Sequence, residues 1–285
     1  MDTRFLESFL TVVEAGSMAE AARRLGVTPA AVAQRIQALE QEIGTQLLSR
    51  AGRTVRPTEA GTAILARSRQ VVREVRELRA FAAGEKLAGE IRLGAISTAL
   101  TGLLPRLLMQ LVSEAPLVDF YVVPGTSIEL YRKVVEGDLD AAILVKPQFS
   151  LPKAYEWHLL RTEPLVVIGP EASAGSDPHE LLRSQPFIRY DRNHWGGRLA
   201  DSYLRQAGIR PQERLELDAL EAIAVMVDKG LGVSLVPDWA PPWPEGLSIS
   251  KLSLPNTAPV RHIGLMWPRT SPKTRLIQAL LTAAA

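Results

Sequence analysis

Gly26-Val27-Thr28 separates two stretches of helical periodicity, and so short a connection forces the two helices to cross steeply. Before it, Leu6, Phe9, Leu10 and Val13 recur at i, i+3, i+4 and i+7, one apolar face of a helix ending near Gly16. Ser17 is placed to cap a second, short helix that uses Ala21, Ala22 and Leu25 and stops at Gly26. Thr28-Pro29 then supplies an N-cap followed by the residue best suited to the first helical position. The third helix is predicted to bury Val32, Ile36, Leu39 and Ile43. Its opposite face presents Ala30, Gln34, Gln37 and Gln41, with Ala33 and Arg35 on the flanks. This is the helix-turn-helix arrangement, whose second helix enters a DNA major groove by its N-terminal end. A small helical bundle with a tight crossing produces the same pattern.

The next residues weigh on that choice. Leu47–Arg50 and Arg53–Arg56 flank Ala51-Gly52, the turn signal of a short hairpin or wing. Arg50, Arg53 and Arg56 lie close together there, with no acid between Glu42 and Glu59. Such an edge is ordinarily solvated, but beside a helix-turn-helix it suits phosphates or a narrow minor groove. Bulk charge does not decide the matter. The chain has a net charge of +2, and residues 1–86 carry thirteen basic against ten acidic side chains.

From Thr58 to about Ala83 the chain has no proline, and Ile64, Ser68, Val71, Val75, Leu78 and Ala82 alternate spacings of four and three. That is a 3.5-residue seam on a helix roughly 39 Å long. It fits either a dimerising helix, with Ile64, Val71, Val75 and Leu78 in the interface, or an amphipathic helix packed on its own domain. Lys86–Gly89 reads as a hinge. Beyond it, strands and helices alternate: strand 90–95, helix 100–115, strand 118–123, helix 127–136, strand 141–145, and a second set beginning at Leu165. Alternation at this spacing implies βαβ units and a parallel sheet, arranged as two α/β lobes.

Several functions are excluded by what the chain lacks. It has no cysteine, hence no disulfide, thiolate metal site or thiol nucleophile. No window reaches the ~18 apolar residues of a membrane helix. Met1-Asp2-Thr3-Arg4 opens no apolar signal segment, so a cytoplasmic protein without membrane attachment is expected. There is no G-x-S-x-G elbow, Walker loop or H-E-x-x-H helix, and His158, His179, His194 and His262 are scattered. No catalytic residue, metal or cofactor is therefore expected. An α/β enzyme with an attached DNA-binding module remains as an alternative, whereas an exported solute receptor of the same two-lobed fold needs an export segment that the N-terminus does not offer.

The run Phe9-Leu10-Thr11-Val12-Val13-Glu14-Ala15-Gly16-Ser17-Met18-Ala19-Glu20-Ala21-Ala22-Arg23-Arg24-Leu25 resembles the LysR-type transcriptional regulators. The likeness continues through Val32, Ile36, Leu39-Glu40, Ile43-Gly44, Leu47-Leu48, Arg50, Arg53 and Thr58-Glu59-Ala60-Gly61. It covers the whole chain, more loosely after residue 86, where Gly137–Ile143 and Gly230–Pro237 are family-like. It implies an N-terminal all-α winged helix-turn-helix at 1–58, a linker and dimerisation helix at 59–86, and a C-terminal α/β two-lobed, periplasmic-binding-protein-like effector domain at 87–285. Lobe one would comprise about 89–162 plus 262–285, and lobe two about 163–261. The implied partners are double-stranded promoter DNA, a small-molecule effector, further copies of the chain as a homodimer or homotetramer, and RNA polymerase. DNA contacts are implied for Ser17, Thr28, Pro29, Ala30, Ala33, Gln34, Arg35, Gln37, Arg50, Arg53 and Arg56. The recognition helix departs from the family where Pro29, Ala30, Ala33 and Gln34 replace the frequent Gln, Pro, Ser and Arg, which bears on operator choice. Effector contacts are implied at Ser97, Thr98, Thr126, Ser127, Arg189, Asp191, Arg192, His194, Trp195 and Pro237. With Arg189, Arg192, Arg198 and His194 in one loop region, the expected ligand is an organic anion, a carboxylate. Alternatively, Arg189 and Arg198 are structural partners of Asp191 and Asp201.

Overall fold

The computed structural model describes residues 2–51, 54–82, 87–255 and 258–284. The main division of the chain into compact units falls between Gly89 and Glu90. The first unit contains α1 (Thr3–Ala15), α2 (Met18–Leu25), α3 (Pro29–Ile43), β1 (Leu48–Ala51), β2 (Thr54–Pro57) and α4 (Glu59–Ala82). Its helix boundaries are set by local chemistry. Asp2 caps α1, Ser17 Oγ accepts from Glu20 N at 3.1 Å, and Thr28 Oγ1 accepts from Ala31 N at 3.2 Å. Gly16 and Gly26, at φ of +67° and +65°, close the first two helices in the left-handed conformation that a side chain disfavours.

Phe9, Val12, Ala21, Ala22, Val32, Leu39 and Leu47 form the buried centre of this unit. Ile43, expected inside, is 42% exposed. It is the last residue of α3, one turn beyond Leu39, where the chain leaves the core at Gly44. The β1–β2 hairpin adds strands to the helical unit and is held by polar contacts. Glu40 accepts from the amides of Leu47 and Leu48 at 2.8 and 3.1 Å, and Val55 N donates to Gly16 O at 2.8 Å. Thr58 Oγ1 caps α4 by accepting from Gly61 N at 3.0 Å. A Cβ on Gly61 would lie 2.0 Å from Leu47 O, so only glycine lets α4 start this close to the hairpin.

The first half of α4 lies against its own unit. Val72 and Ser68 are buried, and Ile64, Leu65 and Val71 pack around the same core. Val75 is half-buried and Leu78 is 68% exposed. Of the four residues expected in a dimer interface, Ile64 and Val71 thus lie against the core of their own unit, and Leu78 is the one exposed. Lys86, part of the expected hinge, lies outside the described residues. No helix among the described residues is long and apolar enough to cross a membrane.

The second unit begins with β3 (Ala88–Ala95), α5 (Ser97–Gly102), α6 (Leu104–Glu114), β4 (Leu117–Pro124), α7 (Ser127–Val135) and β5 (Ala141–Val145). It continues with β6 (Tyr155–Pro170), α8 (Pro178–Ser184), β7 (Pro186–Tyr190), α9 (Trp195–Gln206), β8 (Gln212–Leu217) and α10 (Leu220–Asp228). It ends with β9 (Ser234–Pro237), β10 (Ile249–Ser253), β11 (Val260–Pro268) and α11 (Thr274–Ala284). The single helix expected over 100–115 is two helices, broken at Leu103, with Pro105 in the first turn of the second. The sheet is mixed rather than parallel. Seven strands join in the order β10-β6-β11-β5-β3-β4 with β9 also on β6, while β7 and β8 pair separately.

β3 and β5 run parallel, but β11 is antiparallel to both β5 and β6. The sixteen-residue β6 changes partners midway. Up to Pro164 it pairs with β11, and from Leu165 onward with β9 and β10. That change divides the unit into two lobes. One is built on β3, β4 and β5, and the other on β7, β8, β9 and β10.

The polar clamp on the hairpin is open to a direct test. Glu40→Ala strands two amide donors, and at about 1–3 kcal/mol per buried unmade bond it should lower the melting transition of the first unit. Calorimetry of the full chain should show that transition shifting down while the transition of the second unit stays in place.

Candidate nucleic-acid interface and ligand cavity

On α3, Ala30, Ala33, Gln34 and Gln37 are exposed at spacings of three and four, so they form one stripe beginning in the first turn. Thr28 and Pro29 lead into it and are exposed as well. Gln34 and Gln37 offer amide groups able to pair with an adenine edge, and Ala30 and Ala33 offer methyl contacts. Ser17 is half-buried, with its hydroxyl engaged as the cap of α2. Arg35 turns back toward α1, its Nη1 3.4 Å from Ser8 Oγ. Arg56 stands exposed on β2, whereas Arg53 and the side chain of Arg50 lie outside the described residues.

In the second unit, the loops at the C-terminal ends of β3, β4, β7 and β8 surround a cavity of about 350 Å³. Ser97 and Thr98, Thr126 and Ser127, and His194 and Trp195 all line it, as the sequence leads one to expect. Their roles differ. Thr98 is buried, and its Oγ1 accepts from Arg261 Nη2 at 3.2 Å. Ser127 Oγ accepts from Val145 N at 3.1 Å and so fixes the start of α7. Thr126 and Glu129 form a reciprocal capping pair with bonds of 3.0 and 3.3 Å. Those bonds from Thr126 hold the Glu129 carboxyl below its ordinary pKa. Trp195 packs edge-on against Tyr131 and Phe149, each with ring centres 5.8 Å away. A Cβ on Gly197 would lie 1.8 Å from Asp191 O, which explains the glycine in the first turn of α9.

The expected arginines are elsewhere. Arg189 is buried between Asp201 and Glu213, with Nη1 2.8 Å from Asp201 Oδ1. Arg192 pairs with Glu216 at 2.9 Å and with Glu213. Hydrogen bonds from Arg189 depress the pKa of Glu213, and those from Arg192 depress that of Glu216. β8 runs parallel to β7 and brings Glu213 and Glu216 alongside, while Asp201 reaches Arg189 from α9, so these arginines are held in ion pairs of the second lobe. Arg198 is exposed and, like Arg189 and Arg192, absent from the cavity lining. Asp191 accepts from Asn193 N at 2.8 Å and faces His194 Nε2 at 3.3 Å, as part of its own loop. Pro237 ends β9, paired with Leu165, and is also absent from the lining.

The cavity's guanidinium is Arg261, on β11, and sequence reasoning passed over it. It is buried with Glu163, directly opposite on β6, at 2.6 Å. Arg261 Nη1 also lies 3.4 Å from Tyr190 Oη. Burial opposes its charge, and Tyr190 and Glu163 more than offset that, leaving its pKa above the ordinary value. A basic residue inside an otherwise apolar strand, Val260-Arg261-His262-Ile263, was the available signal. Asp218, at the end of β8, is the second overlooked group. Burial pushes its pKa up, His194 draws it down, and Asp191 pushes it up again.

A helix-turn-helix unit joined to a two-lobed α/β unit with a cavity between its lobes defines a ligand-responsive DNA-binding regulator. Residues 3–62 match the family model described as bacterial regulatory helix-turn-helix protein, lysR family, and residues 84–285 match the LysR substrate binding domain. The chain belongs to the LysR family of transcriptional regulators. The transcriptional activator IlvY of Salmonella typhimurium is 31% identical over 245 residues, covering 84% of this chain and 83% of its own. A full-length OxyR variant of Pseudomonas aeruginosa superposes with a TM-score of 0.73 at 27% identity, covering 100% of this chain and 94% of its own. CbnR in complex with its target DNA has the same fold, with a TM-score of 0.69 at 23% identity over 99% of this chain and 100% of its own.

The stripe on α3 and the arginine on β2 should behave differently toward DNA. Gln34→Ala is expected to change the ranking of operator variants by about 1–3 kcal/mol at one base pair. Arg56→Ala should weaken specific and random duplexes alike and reduce the salt dependence by about one phosphate contact. Fluorescence anisotropy titrations at several salt concentrations read both outcomes.

Proposed function

We propose that this protein is a cytoplasmic regulator that binds promoter operators through α3 and the β1–β2 hairpin and changes its DNA-bound form when a small organic acid enters the cavity between its lobes. The observation that carries the reading is Arg261. It is a buried cation in the cavity wall, on one of the two strands that pass between the lobes. An acid reaching Arg261 Nη1, Thr98 and Ser97 meets donors from both strand and loop, and its contacts fall where β6 changes partners. The parts of the proposed switch are the DNA-binding unit at 1–58, the linker helix at 59–86 and the effector domain at 87–285. The lobes would be 89–162 with 262–285, and 163–261. RNA polymerase is the natural recipient of the signal at a promoter.

Calorimetry of the full chain against a panel of small carboxylic acids tests the acid site. Arg261→Lys keeps the charge opposite Glu163 but removes the guanidinium fork. With Ser97→Ala added, acid binding should fall by at least about tenfold, the equivalent of one charge-assisted bond. The acid-induced change in operator footprint should vanish with it, and operator binding without ligand serves as the internal control. Acids that bind both forms equally would remove Arg261 from the site.

For assembly, we propose that the second half of α4 pairs with that of another copy to form a homodimer, the unit of a homodimer or homotetramer on DNA. Leu78 is the fitting probe because its exposure lets it change without disturbing its own unit. Leu78→Asp should shift the mass seen by light scattering toward the monomer and abolish cooperative operator binding. An unchanged mass would place the interface elsewhere.

A further inference from the structure

The cavity holds more negative charge than an acid effector alone can use. Its guanidinium, Arg261, already faces a buried carboxylate from Glu163 at 2.6 Å. The remaining acids of the wall, Glu129 from the β4 side and Asp218 from the β8 side, belong to opposite lobes. Glu129 is tied to Thr126 through Oε2, and the charges of Lys133 and Arg132 on the same helix also favour its ionised form. The Asp218 carboxylate accepts no hydrogen bond among the described residues, and its nearest basic group is His194 Nδ1 at 4.0 Å. Asp191 already holds the other nitrogen of that imidazole at 3.3 Å. The two carboxylates thus reach the same cavity from opposite lobes. A carboxylate with open acceptor positions at the edge of a cavity is a site for a cation carrying N–H donors.

We propose that the effector is a zwitterion of the α-amino acid class, with its acid group at Arg261 and Thr98 and its ammonium group between Asp218 and Glu129. The inference rests on the reading of this cavity as the effector site. A simple monoanion satisfies Arg261 but adds a negative charge beside two carboxylates, and a simple amine leaves Arg261 and Thr98 without a new partner. A zwitterion matches both ends and adds no net charge. The volume of about 350 Å³ is that of about ten water molecules, enough for an amino acid whose side chain lies against Trp195.

Titration calorimetry on the full chain tests this with three matched sets of probes: the twenty common α-amino acids, the 2-hydroxy acids that carry a hydroxyl in place of the amino group, and the amines that lack the carboxyl. At least one amino acid is expected to bind, with its hydroxy acid weaker by about tenfold or more. Asp218→Asn and Glu129→Gln, checked for folding by circular dichroism, should each weaken the amino acid and narrow its advantage over the hydroxy acid. Glu129→Gln keeps a side chain able to complete the capping box. A hydroxy acid that binds as tightly as its amino acid, or amino acid affinity unchanged in both variants, overturns the zwitterion while the acid site stands. Binding of amines alone, or of none of the three sets, overturns the acid site and the zwitterion together.

Discussion

Arg261 and Glu163 face each other across β11 and β6, each almost without solvent contact, at the last residue pairs before β6 passes to its other partners. A buried ion pair contributes little net stability compared with apolar side chains of the same size, but losing one partner costs about 3–5 kcal/mol. Its position therefore matters more than its strength. Glu163 also accepts from Ala240 N at 3.3 Å, and Asp238 N donates to Pro164 O at 2.8 Å. The pair thus connects the strand crossing to the segment after β9. A ligand acid seated at Arg261, as proposed, would compete for donors that hold this crossing together, so its effect would fall on the strands between the lobes.

The DNA-binding unit separates two demands that a short helix must meet at once. One face of α3 supplies Val32, Ile36 and Leu39 to the core, and the hairpin is held to the helices by Glu40 and by the carbonyl of Gly16. None of this constrains Ala30, Ala33, Gln34 or Gln37, which have no packing role. The departures from the family pattern at Pro29, Ala30, Ala33 and Gln34 fall on that exposed stripe or at its start. They leave the scaffold intact and alter the surface offered to bases.

What was legible in the sequence was local. Ser17, Thr28 and Pro29 mark helix starts because capping involves residues two or three positions apart, and the bounds of α2 and α3 follow from them. The ends of β5 fall where the alternation puts them, because the apolar run there is bounded by turn residues. The first half of β6 was hidden. Its residues 155–163 carry Glu156, His158, Arg161 and Glu163, and a strand with polar groups on an intermediate surface has no clean period. The site suffered from the same limit. Arg189 and Arg192 looked like ligand contacts until β8 brought Glu213 and Glu216 beside them, a pairing over more than twenty residues that spacing cannot show. Ile43 kept the right periodicity and still missed the core, since periodicity does not say where a helix outruns its neighbours.

The distribution of charge in the cavity also supplies a reason for motion. Glu129 and Asp218 stand on different lobes of the cavity wall, and like charges repel more strongly the nearer they are brought. Burial raises the pKa of Asp218, and the nearby charges of Asp191 and Glu129 raise it further. In the proposed site an approach of the lobes would bring like charges together, and an ammonium group between them would turn that repulsion into attraction. A ligand shifts a conformational equilibrium only by the difference in its affinity for the two forms. Reversing the sign of one interaction between the lobes supplies a difference of that kind, which is what allosteric coupling requires. In the proposed site the two carboxylates thus give the ammonium group of a zwitterion a means of coupling occupancy to the approach of the lobes.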